Sequence, residues 1–461
     1  MASLIKKIYI IKPVFLCLLL VSMNSALGKG TKDLAGPPEN LSDEDKLYGL
    51  SLFWKEASYN FAFFDQVPGL DFDNAYKHSI SRVLATQSTY DYYRELMRLN
   101  AMLRDGHTNI YLPEGLSEKH IDWPAVELTE ANRKAVVTSV DKRLQYLVPL
   151  GSTVVSVDGI AVDHYLKTTM MPYIASSTDH ILWNDAVRRV LDGLPESEIK
   201  VEFKTPSGEI QEVALKRNSR GKKIEKVSLE MPSSNGELFE FKRLKDDIAY
   251  MALNGFHDEK IIEDFKKAYR DIQQAKALII DVRFNGGGNS DIAAEILAHF
   301  AQKKLEGSTW KTRKHIAAYK AWGFYSDEYK EYAEDRAWYS GSMSSFEAKK
   351  DNHIVPTYVL TGRYTASAAE DFLIYADKLD HFTTIGEKTY GSTGQPIFFD
   401  LPGGGSFRIC TKRDTYPDGR EFVGYGIIPD VEIQRTPDHL RSERDIVLAK
   451  AIEGLQQRMN P

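Results

Sequence analysis

The chain has 461 residues, 43% of them hydrophobic and 27% charged, with a net charge of −6 at neutral pH. Acidic and basic residues are interspersed and no long basic run occurs, which excludes binding to nucleic acid or to an anionic membrane by charge. Two cysteines, Cys17 and Cys410, exclude a disulfide-stapled scaffold, and no Cys/His cluster has zinc spacing, so two or three domains must be held by burial.

Residues 1–28 have the form of a signal peptide. Lys6, Lys7 and Lys12 precede the apolar run Val14 to Val21, and Ala26-Leu27-Gly28 gives the small-x-small pattern of a cleavage site. The run is too short to span a bilayer comfortably, so an exported protein, periplasmic or extracellular, is predicted, without a stable membrane anchor. Losing those three lysines takes the net charge from −6 to −9.

Residues 29–118 are predicted as an N-terminal helical domain. Leu47, Leu50, Phe53 and Trp54 recur at helical spacing, as do Leu96, Leu99 and Leu103. The segment ends on the turn Arg104-Asp105-Gly106-His107-Thr108. Residues 119–220 change to β-branched runs, such as Val136 to Val140 and Val201 to Thr205, with a helical stretch from Trp183 to Leu194. From 221 to 461 strands and helices alternate. Asp247 to Leu253, Ala277 to Val282 and Pro356 to Leu360 read as strands, and Ile261, Phe265, Tyr269 and Ile272 share one helical face. The aromatic-rich stretch Trp310 to Tyr339 is expected to pack as a helical insertion.

Three places could carry chemistry. Arg363-Tyr364-Thr365-Ala366-Ser367-Ala368-Ala369-Glu370 lies between a buried strand and a helix. Small neighbours let a substrate backbone approach Ser367, and the helix start directs an N–H at an oxyanion beside its hydroxyl. The same Ser367-x-x-Glu370 spacing also makes an ordinary capping box. Asp281-Val282-Arg283-Phe284-Asn285-Gly286-Gly287-Gly288 exposes backbone N–H groups suited to an anion, or is simply a tight turn; G-x-G-x-x-G spacing is absent. His107, one of eleven histidines, is placed in a loop where a general base for a serine could sit.

Taken together, D-V-R-F-N-G-G-G, T-A-S-A-A-E-D, G-E-K-T-Y-G-S-T-G and the ending Gly426-Ile427-Ile428-Pro429-Asp430-Val431 resemble the S41 peptidases, the C-terminal processing and tricorn core proteases. The resemblance runs from about Leu96 to Ile433. It implies an α/β fold with a ClpP/crotonase-like catalytic core, a PDZ-like β-rich module and an N-terminal helical segment. It also implies Ser367 as the nucleophile of a secreted serine endopeptidase. The lysine of the Ser-Lys branch would follow Gly391, where this chain has Ser392, and Lys388 lies too early to replace it. Asp105-Gly106-His107-Thr108 is similar to the tricorn-type branch, which implies His107 as base. That branch has a serine where this chain has Gly106, and its glutamate corresponds to Val423. Glu421, two residues earlier, is expected to orient His107 or reach it through Ser392. The implied oxyanion donors are Gly287, with Gly286, and Ala368. No cofactor or metal is implied; the partner is a polypeptide, recognised at its C-terminus by strand addition to the PDZ-like module. The alternative on the same scaffold is a non-catalytic binding protein for hydrophobic ligands or peptides.

Overall fold

The computed structural model describes residues 36–442 and 444–459, and the predicted signal segment 1–28 lies outside them. Helix Asp43–Asn60 begins where Ser42 accepts the Asp45 N–H at 3.1 Å, and it buries Leu50, Phe53 and Ala57. Helices Phe72–Leu84 and Thr89–Ala101 pack beside it, Asp71 and Ser88 acting as their N-caps. The predicted apolar positions Leu96, Leu99 and Leu103 are all buried.

A second layer has its own core. Strands Val126–Ala131, Lys134–Asp141, Thr153–Val157, Glu198–Lys204 and Ile210–Lys216 follow one another across an antiparallel sheet. Val137, Val140, Val157, Val201 and Phe203 meet Trp183, Ala186 and Val187 of helix Asp179–Arg189 beneath it. The short strand Lys226–Ser228 returns to pair with Ser139–Asp141 before the chain leaves this unit.

The third layer is a six-stranded sheet in the order 431–432, 382–386, 357–361, 277–281, 248–253 and 239–243. All neighbours run parallel except Phe239–Arg243, which is antiparallel at the edge. Strands Ala277–Asp281 and Thr357–Thr361 are buried along their whole length, in keeping with the apolar residues Ala277–Ile280 and Tyr358–Leu360. On one face Met251, Leu278, Ile280 and Val359 pack under helices Lys260–Ile272, Ser290–Leu297 and Ala368–Ala376. On the other, Ile279, Tyr358 and Leu360 meet Ala451 and Leu455 of helix Ile446–Met459. The fold is thus an α/β core with a β-rich module and N-terminal helices.

Two sets of contacts tie these layers where chemistry is predicted. Strand Asn109–Tyr111 pairs antiparallel with Ser406–Cys410, Asn109 opposite Arg408, which brings the loop carrying His107 onto the core. Arg363, at the foot of the Ser367 loop, reaches Glu130 at 2.6 Å, Asn184 at 3.0 Å and Glu387. Glu387 is held in turn by Arg435 at 2.7 Å. In the 310–339 insertion Tyr319 stacks on Trp322 and meets Tyr329 and Tyr332 tilted or edge-on, while Phe324 and Tyr325 stay exposed.

Candidate active site

Strand Thr357–Thr361 ends in a turn closed on itself and on the neighbouring strand. The Gly362 N–H donates to Thr365 Oγ1 at 3.0 Å, and that hydroxyl donates to the Val282 carbonyl at 2.8 Å. Ala366 N–H donates to the Asn285 carbonyl at 3.0 Å. The chain then enters Ser367 at φ 54°, ψ −122°, after which helix Ala368–Ala376 starts at once. A residue with a Cβ pays about 1–3 kcal/mol to stay in such a conformation, and the cost persists only where the surroundings over-determine it. The bend leaves Ser367 half-buried at the head of a helix whose residues are otherwise all buried. The N–H of Ala368, the first of that helix, has no acceptor within it.

The glycine turn lies against this bend. A Cβ on Gly287 would stand 2.7 Å from Ser367 Cβ, 2.8 Å from the Ala366 oxygen and 3.0 Å from the Ala368 nitrogen, at a φ of +102°. Gly287 therefore allows the two loops to touch. Its N–H, however, donates to Asn285 Oδ1 at 2.9 Å, and Asn285 is anchored through Nδ2 to the Leu253 carbonyl at 2.9 Å. This corrects its predicted part as an oxyanion donor, because its only donor is already spent inside the turn. Gly286 stands in open space with nothing within 4 Å of a would-be Cβ.

The His107 loop is fixed from below. Buried Asp105 accepts the Thr108 hydroxyl at 2.6 Å and the Ser177 hydroxyl at 3.1 Å, and Ser177 Oγ accepts the Gly106 N–H at 2.9 Å. His107 Nδ1 lies 2.6 Å from Ser392 Oγ, which is 3.5 Å from Asp105 Oδ1. When that hydroxyl is turned toward Asp105 it accepts the Nδ1 proton, which leaves the Nε2 lone pair as the basic one. No partner holds Nε2 among the described residues. Burial first, then the charges of Arg408 and Lys412, push the His107 pKa well down, to about 3, so the ring is neutral at physiological pH. Burial pushes Asp105 up. A Cβ on Gly106 would stand 2.7 Å from Tyr390 Cε1 and 3.1 Å from Ser392 Oγ, so these two side chains fill the space beside residue 106.

The Ser367 loop and the 389–392 loop, which carries Ser392, meet on Glu370, which is fully buried. Its Oε2 accepts the N–H groups of Ser367 at 3.1 Å and Ser392 at 3.2 Å, and its Oε1 accepts the Thr389 hydroxyl at 2.5 Å and the Gly391 N–H at 2.8 Å. Ser367, Gly287, Ala368, Ser392 and His107 are thus joined by contacts and hydrogen bonds. Glu421 belongs elsewhere. Both its oxygens hold Arg413, at 2.6 and 2.7 Å, and Arg413 also grips Asp65. The expectation that Glu421 orients His107 is corrected accordingly: the carboxylate beside Ser392 Oγ is Asp105. Lys388 faces Glu432 at 3.9 Å. Asp105 and Glu370 were within reach of sequence reasoning, one in the D-G-H-T turn and the other in the capping spacing. Neither signal says what else the side chain would hold. Among the described residues no group of three or more His, Cys, Asp or Glu side chains could hold a metal ion.

Residues 247–433 match peptidase family S41. Over 240 residues the chain is 25% identical to the carboxy-terminal processing protease CtpB of Bacillus subtilis (strain 168). That match covers 48% of this chain and 44% of CtpB, less than half of the relative's length. Among solved structures, mature CPAF is similar, free and complexed with lactacystin. Identity is 13% in both, TM-scores are 0.66 and 0.68, and the match covers 90% of this chain and 96% and 97% of the CPAF chain. At that identity the likeness is one of fold.

Proposed function

We propose, from the match of residues 247–433 to peptidase family S41, that this chain is a serine endopeptidase with Ser367 as nucleophile. The observation that carries the reading is the Ser367 backbone at φ 54°, ψ −122°, which a plain helix cap does not need. In the proposed reaction Ser367 Oγ bonds to the peptide carbonyl carbon as its proton passes to His107 Nε2. Collapse of the tetrahedral intermediate breaks the C–N bond, and the departing amine takes the proton from His107. Water then repeats the sequence on the acyl-enzyme, returning the proton to Ser367. Ser392 and Asp105 hold the imidazole through Nδ1. The N–H of Ala368 donates to the oxyanion, with a second donor from the open side of the glycine turn at Gly286.

Residues 119–220 serve, in this reading, as a PDZ-like module. Strand Val126–Ala131 is paired on one side only, with Lys134–Asp141, and helix Asp179–Arg189 packs beside it. An extended polypeptide, its C-terminus included, would add to that edge. Residues 1–28 would direct export to the periplasm or beyond. Among the described residues no helix is long and apolar enough to cross a membrane.

The test is labelling of the purified protein by a fluorophosphonate, read by intact mass, with Ser367→Ala and His107→Ala in parallel. One adduct on the wild type, absent from Ser367→Ala and strongly slowed in His107→Ala, is the expected result. Full labelling of His107→Ala would remove His107 as base. An unlabelled wild type would favour a binding protein on the same scaffold.

A further inference from the structure

A buried carboxylate without a counter-ion is costly, and Glu370 is one: it is 0% exposed and enters no ion pair among the described residues. Capping the helix at Ser367 explains one of its hydrogen bonds. The other three come from Thr389, Gly391 and Ser392, in a loop 19 to 22 residues further along. The Thr389 hydroxyl accepts the Ile427 N–H at 2.7 Å and donates to Glu370 Oε1 at 2.5 Å. Four donors thus converge on two oxygens. Burial pushes the Glu370 pKa up, to about 8, and these four hydrogen bonds oppose that rise.

The sharing of one atom matters most. Oε2 accepts from the backbone of Ser367 and from the backbone of Ser392, whose hydroxyl sits 2.6 Å from His107 Nδ1. We propose that Glu370 is a positioning residue, whose carboxylate clamps the loop carrying Ser367 to the loop that orients His107 and so fixes base against nucleophile. The proposal rests on the reading of Ser367 and His107 given above.

Glu370→Gln keeps the volume but turns an amide NH2 toward two of the four donors, so the clamp opens on one side. Saturation kinetics of fluorophosphonate labelling separate the two roles a buried residue can have. Loss of folded protein lowers the labelled fraction, whereas loss of positioning lowers kinact in the molecules that remain folded. The expected result is a kinact about 100-fold lower, as for a displacement of about 1 Å between reacting groups, with KI within about twofold. Amide exchange measured on the same variant should rise among Ser367, Gly391 and Ser392, the N–H groups that Glu370 accepts. Should Glu370→Gln fail to fold, Thr389→Val removes one donor and leaves the charge; it should lower kinact by about tenfold and loosen the same loop. A kinact within about threefold of wild type with unchanged exchange at 389–392 would overturn the clamp. A wild type that takes no label at Ser367 would instead overturn the nucleophile, and the exchange measurement would still decide on Glu370.

Discussion

Gly287→Ala tests whether the glycine turn and the nucleophile loop are held as closely as the distances say. The new methyl group would stand 2.7 Å from Ser367 Cβ, 2.8 Å from the Ala366 oxygen and 3.0 Å from the Ala368 nitrogen. All three are backbone or Cβ atoms, so no side chain can rotate out of the way. A φ of +102° adds about 1–2 kcal/mol of backbone strain for any residue with a Cβ. Overpacking in a closed site costs about 1–3 kcal/mol more. A loss of about 2–5 kcal/mol should follow, lowering Tm by about 4–10 °C at the slope expected for a large domain. Relaxation must push Ser367 away from the turn, so labelling should slow by about 100-fold in the protein that stays folded. Gly286→Ala supplies the contrast in stability, because nothing lies within 4 Å and its φ is ordinary; its Tm should correspond to a change within about 0.5 kcal/mol. Thermal melts followed by circular dichroism, with labelling rates on the same samples, read both quantities. If Gly287→Ala melts with Gly286→Ala and labels at the wild-type rate, the close approach of these loops is not what this reasoning takes it to be.

Ser392→Ala removes the oxygen facing His107 Nδ1, and labelling should fall at least tenfold, whereas Glu421→Gln, which alters only a partner of Arg413, should label within about threefold of wild type. Arg363→Met strips two buried carboxylates, Glu130 and Glu387, of a shared cation, and urea denaturation should show a loss of about 3–5 kcal/mol. Because the folded-state pKa of His107 lies below that of the unfolded chain, the unfolded form takes up a proton first as pH falls below 6.5, and this residue's share of stability declines from there toward about pH 3. The same depression keeps the imidazole neutral, so the labelling rate should show no limb at 6.5; a limb there would mean that His107 titrates as an ordinary histidine or is not the base.

Much of the architecture was legible because burial writes itself into sequence. The apolar run at 277–280 suited a strand covered on both faces, 356–360 also read as a strand, and Ile261, Phe265, Tyr269 and Ile272 fell on the buried face of one helix. The return of Lys226–Ser228 to the β-rich sheet was not legible, since a polar three-residue strand has no periodicity to read. The 310–339 insertion was read as packed, yet Phe324 and Tyr325 stand exposed, because composition does not say which aromatic rings find partners.

The site divides along a different line. Ser367 and His107 could be singled out because their chemistry belongs to the residue type and the loop, but their supports depend on long-range contacts. Glu421 was chosen by its distance along the chain from the G-x-x-P-D ending, and that distance could not reveal that Arg413 would claim both its oxygens. Gly287 was chosen as an N–H donor because glycine bares the backbone, yet the N–H is taken by Asn285 and the use of the glycine is its missing Cβ. Ser392 makes the same point from the other side. Read as the place where a lysine is lost, it looks like a defect. In the folded chain its hydroxyl stands 3.1 Å from where a side chain on Gly106 would begin and 2.6 Å from His107 Nδ1, 285 positions away. A single sequence cannot show such a placement, because the two positions are brought together by long-range contacts, among them the pairing of Asn109–Tyr111 with Ser406–Cys410 and the His107–Ser392 contact.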